Sequence, residues 1–233
     1  MKNTIQKIKE LIRKTMGIDE AGIADQLRKP SGWLASRVGK QMNESNRAIY
    51  DTIFGEMKAA ARGTALEIGF GNGLFFPRYF EQAKNGRVFG LELSEKMVEA
   101  ARMQNKKENR AGLLELSVGS SKDMPYADAS FDIVVCVNVI YFWDYPAEHL
   151  REIYRVLKPG GLFYVGMRPE ESLKNVPFAK HGFILYSETE WRDRVQEHKL
   201  LHIKTSTFSD RPINLHGVIF PIQGMVMLFQ KVS

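Results

Sequence analysis

The chain has 233 residues, a hydrophobic content of 44% and a formal net charge of +6, which suits one α/β domain with a helical extension and a sizeable core. A single cysteine, Cys136, excludes an intrachain disulfide, and no apolar run approaches the ~18 residues of a membrane-spanning helix. Residues 1–47 hold 10 Lys+Arg and 5 Asp+Glu, a net of +5, and the remaining 186 hold 23 and 22, a net of +1. The basic character therefore belongs to an N-terminal arm, whereas a nucleic-acid enzyme usually carries it on a face near its active site. The N-terminus lacks the apolar region of a signal peptide, so a soluble, cytoplasmic protein is expected.

Thr4–Met16 places Ile5, Ile8, Leu11, Ile12 and Met16 at helical spacing, with Lys7, Lys9, Arg13 and Lys14 opposite. Such a helix packs on the domain with a solvated basic face, or contacts a membrane surface or an acidic partner. Lys29–Trp33, read Lys-Pro-Ser-Gly-Trp, is a turn signal. Trp33–Lys58 reads as one or two helices, with an apolar face of Met42, Ile49, Ile53, Phe54 and Met57, on which Met42, Asn43, Asn46 and Tyr50 are near neighbours. Ala65, Leu66 and Ile68 form the first strand, apolar as a buried parallel strand is. It breaks into three alternate glycines, Gly69, Gly71 and Gly73, which tolerate positive φ and leave room beside the backbone. A strand, such a turn and a helix from near Leu74 aim backbone N–H groups at a ligand beyond the sheet's carboxyl edge. Glu67, inside the strand, is costly to bury unless backbone amides or a cationic ligand satisfy it.

Leu74–Gln82 is a helix with Pro77 confined to its first turn. Arg87–Leu93 is the second strand. Glu92 lies 19 residues after Gly73, where a nucleoside-binding α/β fold places an acid for the ribose hydroxyls. Ser94 is a good N-cap for the next helix. Leu113–Val118 and Ile133–Val139 are strands three and four, Pro146–Leu157 a helix, Leu157–Gly161 a turn and Leu162–Met167 strand five. Arg168–Tyr186 has no clear period and reads as a loop that carries specificity. Glu188–His198 is a helix capped by Ser187. Leu200–Phe208 and Gly224–Val232 form the last strand pair, joined through Pro212–Pro221.

The dinucleotide pattern Gly-x-Gly-x-x-Gly would need glycine at residue 74, which is Leu74. Glu-Ile-Gly-Phe-Gly-Asn-Gly at 67–73 instead resembles the first motif of the class I methyltransferases that use S-adenosylmethionine (SAM). Glu92, the polar loop 119–124, Met124-Pro125-Tyr126, Ser130-Phe131-Asp132 and the apolar strand after it extend the resemblance over roughly 66–167. This stretch looks like the small-molecule class I methyltransferases, as in ubiquinone/menaquinone-type and related enzymes. Ser120 stands where those proteins usually carry an adenine-binding Asp, and a hydroxyl is a weaker acceptor than a carboxylate. Asn138 and Tyr141 have the spacing of the Asn-Pro-Pro-Tyr motif of nucleic-acid amino-methyltransferases, but both prolines are absent.

The resemblance implies a Rossmann-like, seven-stranded, mostly parallel sheet of order 3-2-1-4-5-7-6, with the last strand antiparallel and helices on both faces. It divides the chain into an N-terminal helical extension or lid over 1–60 and a SAM-binding domain over 61–233. It implies SAM as cofactor, bound by Glu67, Gly69, Gly71, Gly73, Glu92, Leu93, Met97, Ser120, Ser121 and Asn138, and a small-molecule acceptor methylated at O, N or C. Trp33–Tyr50 is expected to close over the cofactor and to wall the acceptor pocket. If a base is needed, Tyr141, His181 and His216 are candidates, and none is assigned. His198 and His202 lie on opposite sides of a helix end, and no metal site is expected. A SAM-binding protein without turnover, a nucleic-acid methyltransferase and an NAD-linked oxidoreductase remain alternatives.

Overall fold

The computed structural model describes residues 18–57, 63–82, 86–215 and 217–232; the expected Thr4–Met16 helix and His216 lie outside them. Helix α1 (Glu20–Arg28) is capped by Asp19, which accepts from the Gly22 N–H at 2.8 Å. A 3-10 turn at Gly32–Leu34 leads into the long helix α2 (Ala35–Met57). Seven strands follow: β1 (Ala65–Ile68), β2 (Val88–Glu92), β3 (Leu114–Val118), β4 (Phe131–Val137), β5 (Leu157–Met167), β6 (Leu200–Leu215) and β7 (Val218–Lys231). They form one sheet in the order β3-β2-β1-β4-β5-β7-β6. Strands β1 to β5 pair in parallel, and β7 runs antiparallel to both β5 and β6. The other helices are α3 (Phe76–Gln82), α4 (Glu95–Gln104), α5 (Lys106–Arg110), α6 (Pro146–Val156), α7 (Glu170–Leu173) and α8 (Glu188–Gln196).

The central strands are covered on both faces, which is why they read as continuous apolar runs. Leu66, Ile68, Val134 and Cys136 face one core, shared with Leu150, Ile153 and Trp191. Ala65, Ile133 and Val135 face the other, shared with Phe76, Val98 and the carboxyl half of α2. Ile49, Tyr50, Ile53, Phe54 and Met57 of α2 are at most 3% exposed, and fully burying such a side chain contributes about 1.5–3 kcal/mol. Helix α2 lies so close to β5 that a Cβ on Gly166 would come within 2.2 Å of Ile49. This half of α2 is therefore part of the core.

Several boundaries differ from the sequence reading. Strand β4 begins two residues earlier, at Phe131, and ends at Val137, because Asn138 takes φ +55°. The expected turn at 157–161 sits inside β5 as an irregularity: Leu157 pairs with Phe131, and the register then jumps to Leu162 with Ile133. The expected loop between the last strands is instead part of one long hairpin, and its two prolines fall where the ladder skips between Asp210 and Ile213. Proline lacks the N–H a continuous ladder would use, so a skip is where a strand tolerates it. The 168–186 segment contains α7 and a 3-10 turn at Pro177–Lys180.

Candidate active site

A cleft of about 300 Å³ opens at the carboxyl ends of β1, β2, β3 and β4. Its floor is Gly69 and Gly71 after β1, Glu92 and Leu93 after β2, Ser120 and Ser121 after β3, and Asn138 after β4. These strands are parallel and adjacent, so the four loops meet at one sheet edge, around the point where the strand order reverses.

The three glycines do different work. All adopt positive φ, at +72°, +58° and +73° for Gly69, Gly71 and Gly73. A Cβ on Gly69 would strike Val139 Cγ2 at 2.3 Å, and one on Gly73 would strike Ala101 at 2.8 Å. Those two glycines serve close packing, whereas a Cβ on Gly71 meets nothing within 4 Å, and Gly71 lines the cleft. The Gly71 N–H donates to Glu92 Oε2 at 3.1 Å and the Ser94 N–H to Glu92 Oε1 at 2.9 Å. Burial raises the Glu92 pKa, and these backbone donors oppose the rise. Ser94 caps α4 as expected, and its hydroxyl also donates to the Pro30 carbonyl.

Of the ten residues expected around a cofactor, seven line this cleft: Gly69, Gly71, Glu92, Leu93, Ser120, Ser121 and Asn138. Glu67, Gly73 and Met97 do not. Met97 is buried beside Gly39 of α2, with its sulfur 3.4 Å from where a Gly39 Cβ would lie. Glu67 is 1% exposed and accepts a short hydrogen bond from the Tyr50 hydroxyl. The expected backbone or ligand partner is thus replaced by a phenol from α2. Burial pushes the Glu67 pKa up to about 7; the Tyr50 hydroxyl, and that of Tyr79 nearby, offset part of the rise. A smaller pocket beside this pair, lined by Met42, Asn43, Asn46, Tyr50 and Asn72, shares Gly69 and Gly71 with the cleft.

Asn138 is held on three sides. Its N–H donates to the Gly166 carbonyl at 2.8 Å, its Nδ2 donates to Asn46 Oδ1 at 2.8 Å, and the Tyr141 hydroxyl lies 3.1 Å from its Oδ1. The Tyr141 oxygen also lies 3.0 Å from the Arg168 carbonyl and accepts from the Arg168 N–H. Burial raises its pKa, which keeps the hydroxyl protonated near pH 7, and these contacts hold it in place. Arg168 in turn donates to Asp210 Oδ2 and to the Ser45 carbonyl, both at 2.7 Å.

The sequence reading missed contributors from two places in the fold. Leu27, Arg28 and Pro30, from α1 and the turn after it, line the cleft together with Met42, and Arg28 reaches Asp144 of the opposite rim at 3.2 Å. Trp33, expected in the wall, is 77% exposed. The second place is α6, whose His149 lines the cleft. Its Nδ1 lies 2.6 Å from Ser121 Oγ, and its ring stacks on Trp143 at 4.4 Å. Burial and the Lys122 ammonium lower its pKa to about 4, so it is neutral near pH 7. Its position on the buried side of α6, with Leu150 and Ile153, was the available signal. His181 lies 3.5 Å from Glu20 rather than at the floor of the cleft.

Comparison with known proteins places these features in context. Residues 66–165 match the methyltransferase domain family. An uncharacterized methyltransferase of Bacillus subtilis is 27% identical over 134 residues, 58% of this chain and 72% of that protein. A demethylmenaquinone methyltransferase of Symbiobacterium thermophilum is 35% identical over 107 residues, 46% of this chain and 41% of that protein. Among solved structures, the methyltransferase in complex with the Haloferax volcanii Trm112 activator shares the fold, with a TM-score of 0.73 at 22% identity over 86% of this chain and 96% of that one.

Proposed function

We propose that this chain, whose residues 66–165 match the methyltransferase domain family, is a class I SAM-dependent methyltransferase that transfers the methyl group to a small-molecule acceptor bound next to Asn138. The observation that carries this reading is the Gly71–Glu92 pair at the floor of the cleft. A carboxylate oriented by two backbone N–H groups, beside a glycine with open space above it, fits a ribose diol and a close-lying ligand backbone. The cleft's volume of about 300 Å³ and its mixed lining fit an adenosyl cofactor. Under this reading Glu92 accepts from the ribose hydroxyls, Leu93, Ser120 and Ser121 border the adenine, and Gly69 and Gly71 border the amino-acid end.

The cofactor, when bound, supplies a methyl group already activated by its sulfonium. What remains for the protein is alignment and exclusion of water. Alignment of reactants lowers a barrier by roughly 7–11 kcal/mol, and the three-sided clamp on Asn138 supports a rigid reaction edge. Val139, Phe142 and Met42 make the neighbouring wall apolar, which suits a small, largely apolar acceptor. His149, with a pKa of about 4, is a weak base, so the reading favours an acceptor that needs little proton removal. The test is calorimetric titration with S-adenosylhomocysteine, followed by release of that product from SAM in the presence of small-molecule extracts. Product binding without turnover on any acceptor favours the SAM-binding protein instead.

A further inference from the structure

We propose that the face carrying Lys29, Trp33, Arg37 and Lys40 docks the protein on an anionic phospholipid bilayer, beside the mouth of the cleft. Trp33 is 77% exposed, whereas the other two tryptophans, Trp143 and Trp191, are 3% and 0% exposed. Trp33 stands in the turn that runs directly into α2, so residues 33, 37 and 40 follow helical spacing and share one exposed face. Among the described residues no carboxylate pairs with Arg37 or Lys40, whereas the neighbouring Arg28 and Arg211 pair with Asp144 and Glu44. An exposed indole on one face with two unpaired cations is the chemistry that seats a protein at a lipid headgroup layer. Each such cation adds about a fivefold gain in partition to an anionic surface.

The face adjoins the cleft. The Lys29 ammonium is near enough to Glu92 to favour its charged form, and Pro30 lines the cleft and is tied to Ser94. Leu93, 39% exposed, lines the cleft, and Tyr145, 64% exposed with the Lys122 ammonium 4.6 Å above its ring, follows Asp144 of the rim. Apolar and aromatic groups interleaved with cations favour a lipid surface over a nucleic-acid backbone, which asks for a denser run of cations. Docked this way, the protein draws its acceptor from the bilayer. That last step rests on the proposed function, but the docking is measured without cofactor or turnover.

The experiment is co-sedimentation of the full chain with vesicles of phosphatidylcholine alone or mixed with phosphatidylglycerol, at low and high salt, with tryptophan emission read in parallel. The expected result is salt-sensitive binding to the mixed vesicles only, with a blue shift that disappears in Trp33→Phe. Removing two cations in Arg37→Gln with Lys40→Gln should weaken partition about thirtyfold, and Lys106→Gln with Lys107→Gln, on α5, should leave it unchanged. Equal binding to both vesicle types overturns the proposal. So does normal partition by the Arg37/Lys40 variant, which would assign the attraction to residues 1–17. Binding to duplex RNA through the same residues, without vesicle binding, overturns it in favour of a nucleic-acid surface.

Discussion

Glu92 separates a ligand-binding carboxylate from a structural one, and the structure makes the separation quantitative. Its two oxygens accept the Gly71 and Ser94 N–H groups at 3.1 and 2.9 Å, and the residue is 6% exposed. From sequence alone, Glu92→Ala should weaken SAM binding without a comparable loss of stability. The two backbone donors change that expectation. Glu92→Ala leaves both N–H groups buried and unpaired, at about 1–3 kcal/mol each, so the ligand-free protein should lose roughly 2–6 kcal/mol and the variant tests little. Glu92→Gln is the better perturbation. Its amide keeps one acceptor oxygen and gives up one backbone bond to a charged acceptor, about 1.5–3 kcal/mol. Urea denaturation of the ligand-free protein measures that loss. Binding is then measured by calorimetry with S-adenosylhomocysteine and with its 2′,3′-dideoxy analogue. The unmodified protein should prefer the diol ligand by about 1.5–3 kcal/mol, and Glu92→Gln should lose most of that preference. A variant that discriminates the two ligands as well as the parent would show that Glu92 only braces the glycine loop.

Four further outcomes follow from the geometry. Gly71→Val should remain folded, at a cost of about 1–3 kcal/mol for a branched residue at positive φ, yet lose S-adenosylhomocysteine binding; unchanged affinity in calorimetry would remove the loop from the cofactor site. Burial raises the Glu67 pKa from 4.5 to about 7, so the folded state holds that proton more tightly than the unfolded chain. Its contribution, about 3 kcal/mol, is complete below about pH 4.5 and is lost as pH rises to 7; denaturation across that range should show a slope that Glu67→Gln flattens. Asp210→Asn breaks an ion pair whose side chains are 1% and 10% exposed and should cost about 3–5 kcal/mol in urea, with faster hydrogen exchange in the part of α2 whose Ser45 carbonyl Arg168 holds. Deleting residues 1–30 removes α1 from the cleft while keeping α2, so the protein should stay folded and bind S-adenosylhomocysteine more weakly; equal affinity in calorimetry would make α1 a bystander.

The glycine loop and the strand-end acid were legible in the sequence because they rest on local chemistry, whereas the strand order was reached only through the family resemblance. Only a glycine loop holds three alternate positive-φ residues without strain, and an acid at the end of the next parallel strand lies beside that loop, where Glu92 accepts the Gly71 N–H. Ser94 and Ser187 cap their helices as read, since a cap needs only its next three residues. The partners of Glu67 and Asn138 were not legible. Tyr50 and Asn46 lie 17 and 92 residues away from them in sequence, and only the seating of α2 across the sheet brings each pair together. The same packing, not any periodicity, turned Pro30 toward the cleft and left Trp33 outside, because Ser94 ties the Pro30 carbonyl to α4. His149 reads as an ordinary buried position on α6, and its neutral charge and its bond to Ser121 exist only once β3 and α6 meet. Short-range spacing thus determined the glycine loop, the strand-end acid and the helix caps. The walls of the site, being built from side chains far apart in the chain, were decided by tertiary packing, where a contact depends on the placement of whole elements rather than on neighbours in sequence.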